Sequence, residues 1–159
     1  MTSILGIDPG LDGAIACYDD DIHALVVHDM PTLTLRTGKQ LKARHLDEAR
    51  LVDLIRATAP DRAICERVHA MPGQGVSSMF KFGVCFGTIR GILASLAVPV
   101  TYCAPQEWQR VMRVPKGKDG ARQRAQELFP RYSSLFARVR DHGRADAALL
   151  ALAGGTRSV

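Results

Sequence analysis

The sequence predicts an α/β fold that opens with three antiparallel strands and continues as alternating helices and strands. Three observations carry this. Residues 3–7, 13–18 and 22–30 are short apolar runs separated by turn residues. Residues 46–60 and 77–96 have helical periodicity. Each of these two segments is followed by a brief apolar run, at 62–66 and 99–102.

The elements follow in order. Asp19, Asp20 and Asp21 supply the tight link between the second and third strands, so the first three form a meander. Residues 32–45, rich in Thr, Lys and Arg, read as a loop. In LDEARLVDLIRATAP, Leu46, Ala49, Val52, Leu54 and Ile55 recur at helical spacing, and the helix stops before Pro60. A fourth strand at 62–66 leads into a glycine-rich loop, with Ser77 and Ser78 read first as the N-cap of the long helix that follows. After a fifth strand at 99–102, two or three further helices end in ADAALLALAGG. The order is βββαβαβα with extra helices, in a single domain spanning 1–159.

At 159 residues the chain is long enough to bury a core without disulfide staples. Its 47% apolar and 23% charged content is that of a soluble globular protein, and no unbroken apolar run reaches membrane-span length. No basic leader precedes MTSILGID, so a cytoplasmic location is expected, in a bacterial cell or a phage-infected host. Cys17, Cys65, Cys85 and Cys103 lie in apolar segments without a C-x-x-C pair and read as reduced core thiols. No feature favours a membrane role, a small-molecule role or an organic cofactor.

The net charge of +5 is concentrated. Residues 104–144 hold ten Lys and Arg against four acids, a balance that suits either a solvated helical face or a phosphate-binding surface.

Three acids stand out because each sits at the edge of an apolar element. Asp8 ends the first strand in ILGIDPG, where Pro9 and Gly10 turn the chain away and leave a carboxylate at the mouth of the sheet. Glu66 ends the fourth strand in AICERVHAMPGQG, and Asp146 starts the last helix in HGRADAALLAL. Carboxylates buried without partners are costly. Hard oxygen donors without a Cys/His cluster favour magnesium or manganese over zinc, and such a set can hold two ions that act on a phosphodiester.

GIDPGLDG, the acid in CERVHAMPGQGVSSMFKFG and the closing RADAALLAL together resemble the RuvC Holliday junction resolvases, in particular their phage-encoded branch, within the RNase H-like (retroviral integrase) superfamily. The resemblance spans residues 5 to about 154. It implies a five-stranded mixed sheet flanked by helices, a homodimer, and magnesium-dependent cleavage of opposed strands at four-way DNA junctions, in recombination and repair. Two Mg2+ ions per site are expected, with Mn2+ able to substitute.

Carried over residue by residue, Asp8, Glu66 and Asp146 match the family's metal-binding carboxylates. Relatives have an Asp or His three residues before the last acid, where this chain has Gly143. His142 shares a helical face with Asp146 at i and i+4, and Asp141 is the alternative fourth ligand if the helix begins later. His69 stands where cellular relatives place a junction-opening aromatic. Gly73, Gln74, Ser77, Ser78 and Lys81, with Lys116, Lys118 and Arg122 in and after VPKGKDG, are the candidate DNA contacts. Two other readings stay open: an RNase H-like nuclease for flaps, forks or RNA, and a non-catalytic nucleic-acid-binding module.

Overall fold

The first three strands form as expected, β1 (Ser3–Asp8), β2 (Ala14–Asp19) and β3 (Ala24–Asp29), in a computed structural model that describes residues 2–36, 42–68, 73 and 75–156. β1 pairs antiparallel with β2, and β2 with β3. The third strand starts later than residue 22 because the turn is longer than three aspartates. Asp19 Oδ1 accepts the N–H groups of Asp21 (3.0 Å) and Ile22 (3.2 Å), and His23 takes a left-handed φ of 51°.

Residues 32–45, expected as a loop, instead carry a hairpin. β4 (Thr32–Arg36) runs antiparallel to β5 (Lys42–Leu46) as a separate two-stranded sheet. The alternation Thr-Leu-Thr-Leu over 32–35 is the strand signal. Its polar face and basic surroundings resemble loop composition, which is why composition points the wrong way here.

α1 (Glu48–Thr58) is capped by Asp47, whose carboxylate accepts the Arg50 N–H at 3.0 Å. β6 (Arg62–Glu66), α2 (Val76–Ser95) and β7 (Val100–Cys103) follow, with β6 parallel to both β1 and β7. The result is a five-stranded mixed sheet in the order β3-β2-β1-β6-β7. Gly75 is the N-cap of α2 and makes no side-chain cap bond; Ser77 and Ser78 lie exposed inside the first turn, so neither is the cap. The chain closes with α3 (Pro105–Val111), α4 (Gly120–Leu128), 3-10 turns at Pro130–Phe136 and Val139–Asp141, and α5 (His142–Gly155).

Strand alternation sorts the core into two layers. Leu5, Ile7, Ala63 and Cys65 face α1 and α2 and pack with Leu51, Ile55, Ile89 and Leu93. Ile4 and Ile64 point the other way, towards α5, Trp108 and Phe136. On that face α5 comes unusually close. A Cβ at Gly6 would lie 2.0 Å from the Ala147 carbonyl oxygen and 2.4 Å from the Ala151 nitrogen, so only glycine fits. The alanine-rich surface of α5 has the same origin: large side chains would hold the helix off the sheet.

By length and composition α2 is long and apolar enough to cross a membrane. One of its faces is nevertheless committed to the sheet through Cys85, Ile89, Ile92 and Leu93, while Val76, Phe80 and Val84 stay exposed. The four cysteines are buried free thiols. Burial pushes the Cys65 thiol up to about 12, which keeps it protonated and unreactive.

Candidate active site

Parity along two parallel strands turns Asp8 and Glu66 to one face of the sheet. Asp8 lies two and four residues after Gly6 and Ile4, so it shares their α5-facing side, and Glu66 shares the side of Ile64. Both carboxylates stand one step beyond the Ile7–Cys65 pair of the parallel β1–β6 ladder, at the C-terminal ends of the strands. Asp146 comes from α5, next to Ala147, whose carbonyl crowds Gly6. All three side chains are half-buried at the rim of the sheet.

Burial raises all three carboxyls, and neighbouring charge raises two of them further. Burial first, then the charges of Asp146 and Glu66, push the Asp8 carboxyl well above the usual carboxylate range. Asp146 is pushed up to about 7, by burial and then by Glu66. Burial also raises Glu66, opposed by a hydrogen bond from Trp108. Among the described residues, no Lys, Arg or His forms an ion pair with Asp8, Glu66 or Asp146. As placed, no three His, Cys, Asp or Glu side chains among the described residues form a group that could hold a metal ion. All three are oxygen donors, the chemistry that a hard divalent cation takes, and a cation that drew them together would relieve both the repulsion and the cost of burial.

Trp108 is the functional candidate that sequence reasoning missed. It is fully buried at 0% exposure in α3, and its indole Nε1–H donates to Glu66 Oε1 at 3.1 Å. A lone tryptophan in PQEWQR carries no signal of that role, since the contact spans 42 residues. Trp108→Phe keeps most of the ring and removes the donor. The expected outcome is a roughly 10- to 100-fold loss in Mn2+ affinity, the usual cost of losing a group that orients a ligand. Calorimetric titration of the variant against wild type checks it.

Of the two candidate fourth ligands, Asp141 is committed elsewhere and His142 lies at the start of α5. A Cβ at Gly143 would lie 2.8 Å from the Asp12 carbonyl oxygen, 3.0 Å from Gly13 Cα and 3.1 Å from Asp8 Oδ2. α5 therefore presses on the β1–β2 turn at the position where the resemblance implies an Asp or His. Asp141 is corrected as the alternative ligand: it is 1% exposed and accepts the Arg138 N–H at 2.9 Å and the Arg138 guanidinium at 2.9–3.2 Å. Burial disfavours its charge, but the Arg138 hydrogen bonds outweigh that and hold the carboxyl below its usual range. His142 is the first residue of α5 and is exposed, with Nδ1 3.3 Å from the Val139 carbonyl oxygen. Gly143→Asp is expected to lower the melting temperature and activity instead of adding a ligand. Thermal denaturation alongside a cleavage assay decides.

Of the candidate DNA contacts, His69 and Gln74 lie outside the described residues. Gly73, Ser77, Ser78 and Lys81 are exposed. Lys116 and Lys118 are exposed in the turn between α3 and α4. Arg122 is corrected: its side chain is 12% exposed, ion-paired with Asp119 at 2.5 Å and donating to the carbonyls of Phe136 (3.3 Å) and Ala137 (3.0 Å). It staples α4 to the following 3-10 turn. The basic stretch is thus partly structural, with Arg124 paired to Glu127 and Arg138 to Asp141 in the same way.

No protein-family model matches the sequence, and no curated protein matches it. Solved structures do match. RuvC of Thermus thermophilus in complex with Holliday junction substrate aligns with TM-score 0.60 at 15% identity, covering 97% of this chain and 93% of that one. A second Thermus thermophilus RuvC structure aligns with TM-score 0.60 at 16% identity, over 97% and 93%. The yeast mitochondrial Holliday junction resolvase aligns with TM-score 0.53 at 15% identity, over 96% of this chain and 78% of its own. With its five-stranded mixed sheet and flanking helices, the chain has the RNase H-like fold of the RuvC-type Holliday junction resolvases.

Proposed function

We propose that this chain is a structure-selective, metal-dependent endonuclease that resolves four-way DNA junctions by paired nicks with 5′-phosphate and 3′-hydroxyl ends. The observation that carries the reading is the set of Asp8 and Glu66, at the C-terminal ends of adjacent parallel strands, with Asp146 in the second turn of the helix across them, the charges of Glu66 and Asp146 raising Asp8 and that of Glu66 raising Asp146. The likeness to the fold of a RuvC bound to a Holliday junction supports the substrate class.

Asp8, Glu66 and Asp146 would hold magnesium, or manganese in its place. Bound there, the metal supplies Lewis-acid stabilisation of phosphoryl charge and lowers the pKa of an attacking water. The chain's own part is to fix the donors. Trp108 N–H sets the direction of Glu66, and the close seat of α5 on Gly6 sets the depth of Asp146. Half-burial limits water around the carboxylates and strengthens their interactions.

Two opposed cuts call for two sites related by a two-fold axis, hence a homodimer. The exposed apolar residues Val76, Phe80 and Val84, spaced by four on α2, favour it. Gly83, Gly87 and Gly91 on the same helix have no heavy atom within 4 Å of a built Cβ, leaving room for a second helix to approach.

The test is cleavage of a labelled synthetic mobile four-way junction with magnesium, with the cut positions mapped. Symmetric paired nicks are the expected result. Preferential cutting of flaps, forks or RNA would replace the substrate assignment, and no metal-dependent cleavage of any of them would defeat the nuclease reading.

A further inference from the structure

The β4–β5 hairpin lies apart from the main sheet and belongs to none of the site described above. Its two strands contain Arg36, Lys42 and Arg44, together with His45, and no acid. Backbone register sets Arg36 opposite Lys42 and Thr34 opposite Arg44. Arg44 is ion-paired to Asp12 in the β1–β2 turn, which fastens the hairpin beside the carboxylate site.

Between the hairpin and the start of α5 runs a cleft of about 650 Å³. Arg44 lines one side; Arg138, Arg140, His142 and Arg144 line the other. Its acids, Asp12, Asp29 and Asp141, are each held by an arginine. Arg144 grips Asp29 through two bonds of 2.6 Å, Arg138 grips Asp141, and Arg44 holds Asp12. These acids fix the guanidinium groups in place without using all their donors. Arg44 and Arg138 remain 45% and 50% exposed. Arg140 is exposed and forms no ion pair or hydrogen bond among the described residues.

The floor of the cleft includes Asp12 and Gly13, the segment against which Gly143 packs, and Gly143 in turn adjoins Asp8 Oδ2. A chain of phosphates leaving the carboxylates towards β4–β5 would enter this cleft directly. Guanidinium groups pre-oriented by carboxylates suit phosphate oxygens, which they contact in forked pairs.

We infer that the cleft between β5 and the start of α5 is a nucleic-acid backbone track, along which Arg44 and Arg140 hold the DNA strand that runs through the carboxylate site, with Arg138 and Arg144 held against the acids beside them. The inference rests on the proposed function in naming DNA as the polyanion. It extends that proposal by giving the substrate a contact surface outside Lys81, Lys116 and Lys118. Contacts of this kind position the strand without reading its sequence.

The experiment is fluorescence anisotropy of a labelled four-way junction over a series of salt concentrations. It uses the Asp8→Asn protein with magnesium, so that binding is read without cutting. Arg140→Ala and Arg44→Ala are compared with Arg56→Ala, a control in the last turn of α1, which leads to the opposite end of the sheet. Each cleft variant is expected to reduce the slope of log K against log salt by about 0.7–0.9, the loss of one phosphate contact, whereas the control leaves it unchanged. Circular dichroism confirms that each variant is folded. If both cleft variants keep the parent slope, the track is overturned, and the nuclease reading survives wherever wild type still cuts the junction. If wild type binds with the full slope, the cleft variants lose it, and nothing is cut, the track stands and the nuclease reading falls. Absence of binding to junction, fork and single strand alike overturns both.

Discussion

Asp8→Asn is expected to abolish junction cleavage while leaving junction binding nearly intact and making the metal-free protein more stable at pH 8. A single group that stabilises charge in a transition state is commonly worth about 10²–10³ in rate. Asp8 lies between the other two acids electrically, so its loss is expected to cost at least that much. The gain in stability follows from the same geometry. Asp8 is raised first by burial and then by Asp146 and Glu66, so its charge opposes folding when no cation is present. Single-turnover cleavage, binding by anisotropy and thermal melting of one preparation test the three parts together. A variant that still cuts at the wild-type rate removes Asp8 from the site, and one that loses both activity and stability points to a structural role instead.

Metal-free protein is expected to lose stability as pH rises from about 4 to about 8, and divalent cation is expected to restore it. The sign follows from linkage. Asp146 has a folded-state pKa of about 7 against an ordinary value of 3.8, so the folded protein binds its proton more tightly than the unfolded chain does. The stability this contributes is fully present below the unfolded pKa and is lost as pH climbs through about 7. The shift corresponds to a ceiling of about 4 kcal/mol, or on the order of 10 °C in melting temperature for a chain of this size. Asp8 and Glu66 are shifted in the same direction and add to the trend. Asp29 and Asp141 are shifted down, so their contribution disappears only under more acid conditions. Melting curves of wild type and Asp146→Asn across this range isolate the effect, because every other group cancels in the difference. Parallel pH profiles for the two proteins would show that Asp146 titrates normally. Added Mn2+ should raise the wild-type melting temperature most at the alkaline end, where the carboxylates are charged and repel.

Alternation and periodicity, which are local, carried most of the architecture. The apolar runs of the opening meander, the helix that Asp47 caps and the short strand ending in Glu66 all appear close to where residue spacing places them. The hairpin at 32–46 was the exception. Its alternating threonines and leucines lie among basic residues typical of loops, and it pairs only with itself. The cap of α2 moved to Gly75 because the chain enters the helix there in an extended conformation and makes no side-chain bond.

What the sequence by itself determined was where the three acids stand, two at the ends of strands and one near the start of the last helix. A charge at the edge of an apolar run is visible in one dimension because burial has a cost that composition cannot hide. Only the tertiary structure decided how those acids relate and what surrounds them. The parity of β1 and β6 turns Asp8 and Glu66 to one face, and the absence of a side chain at Gly6 lets α5 bring Asp146 down to it. The same close seat shuts position 143 to a ligand, while Arg138 takes Asp141 and Trp108 reaches Glu66 across 42 residues. These are contacts between segments distant in sequence. Residue spacing cannot supply them, because they depend on how closely two surfaces pack and not on what either surface contains.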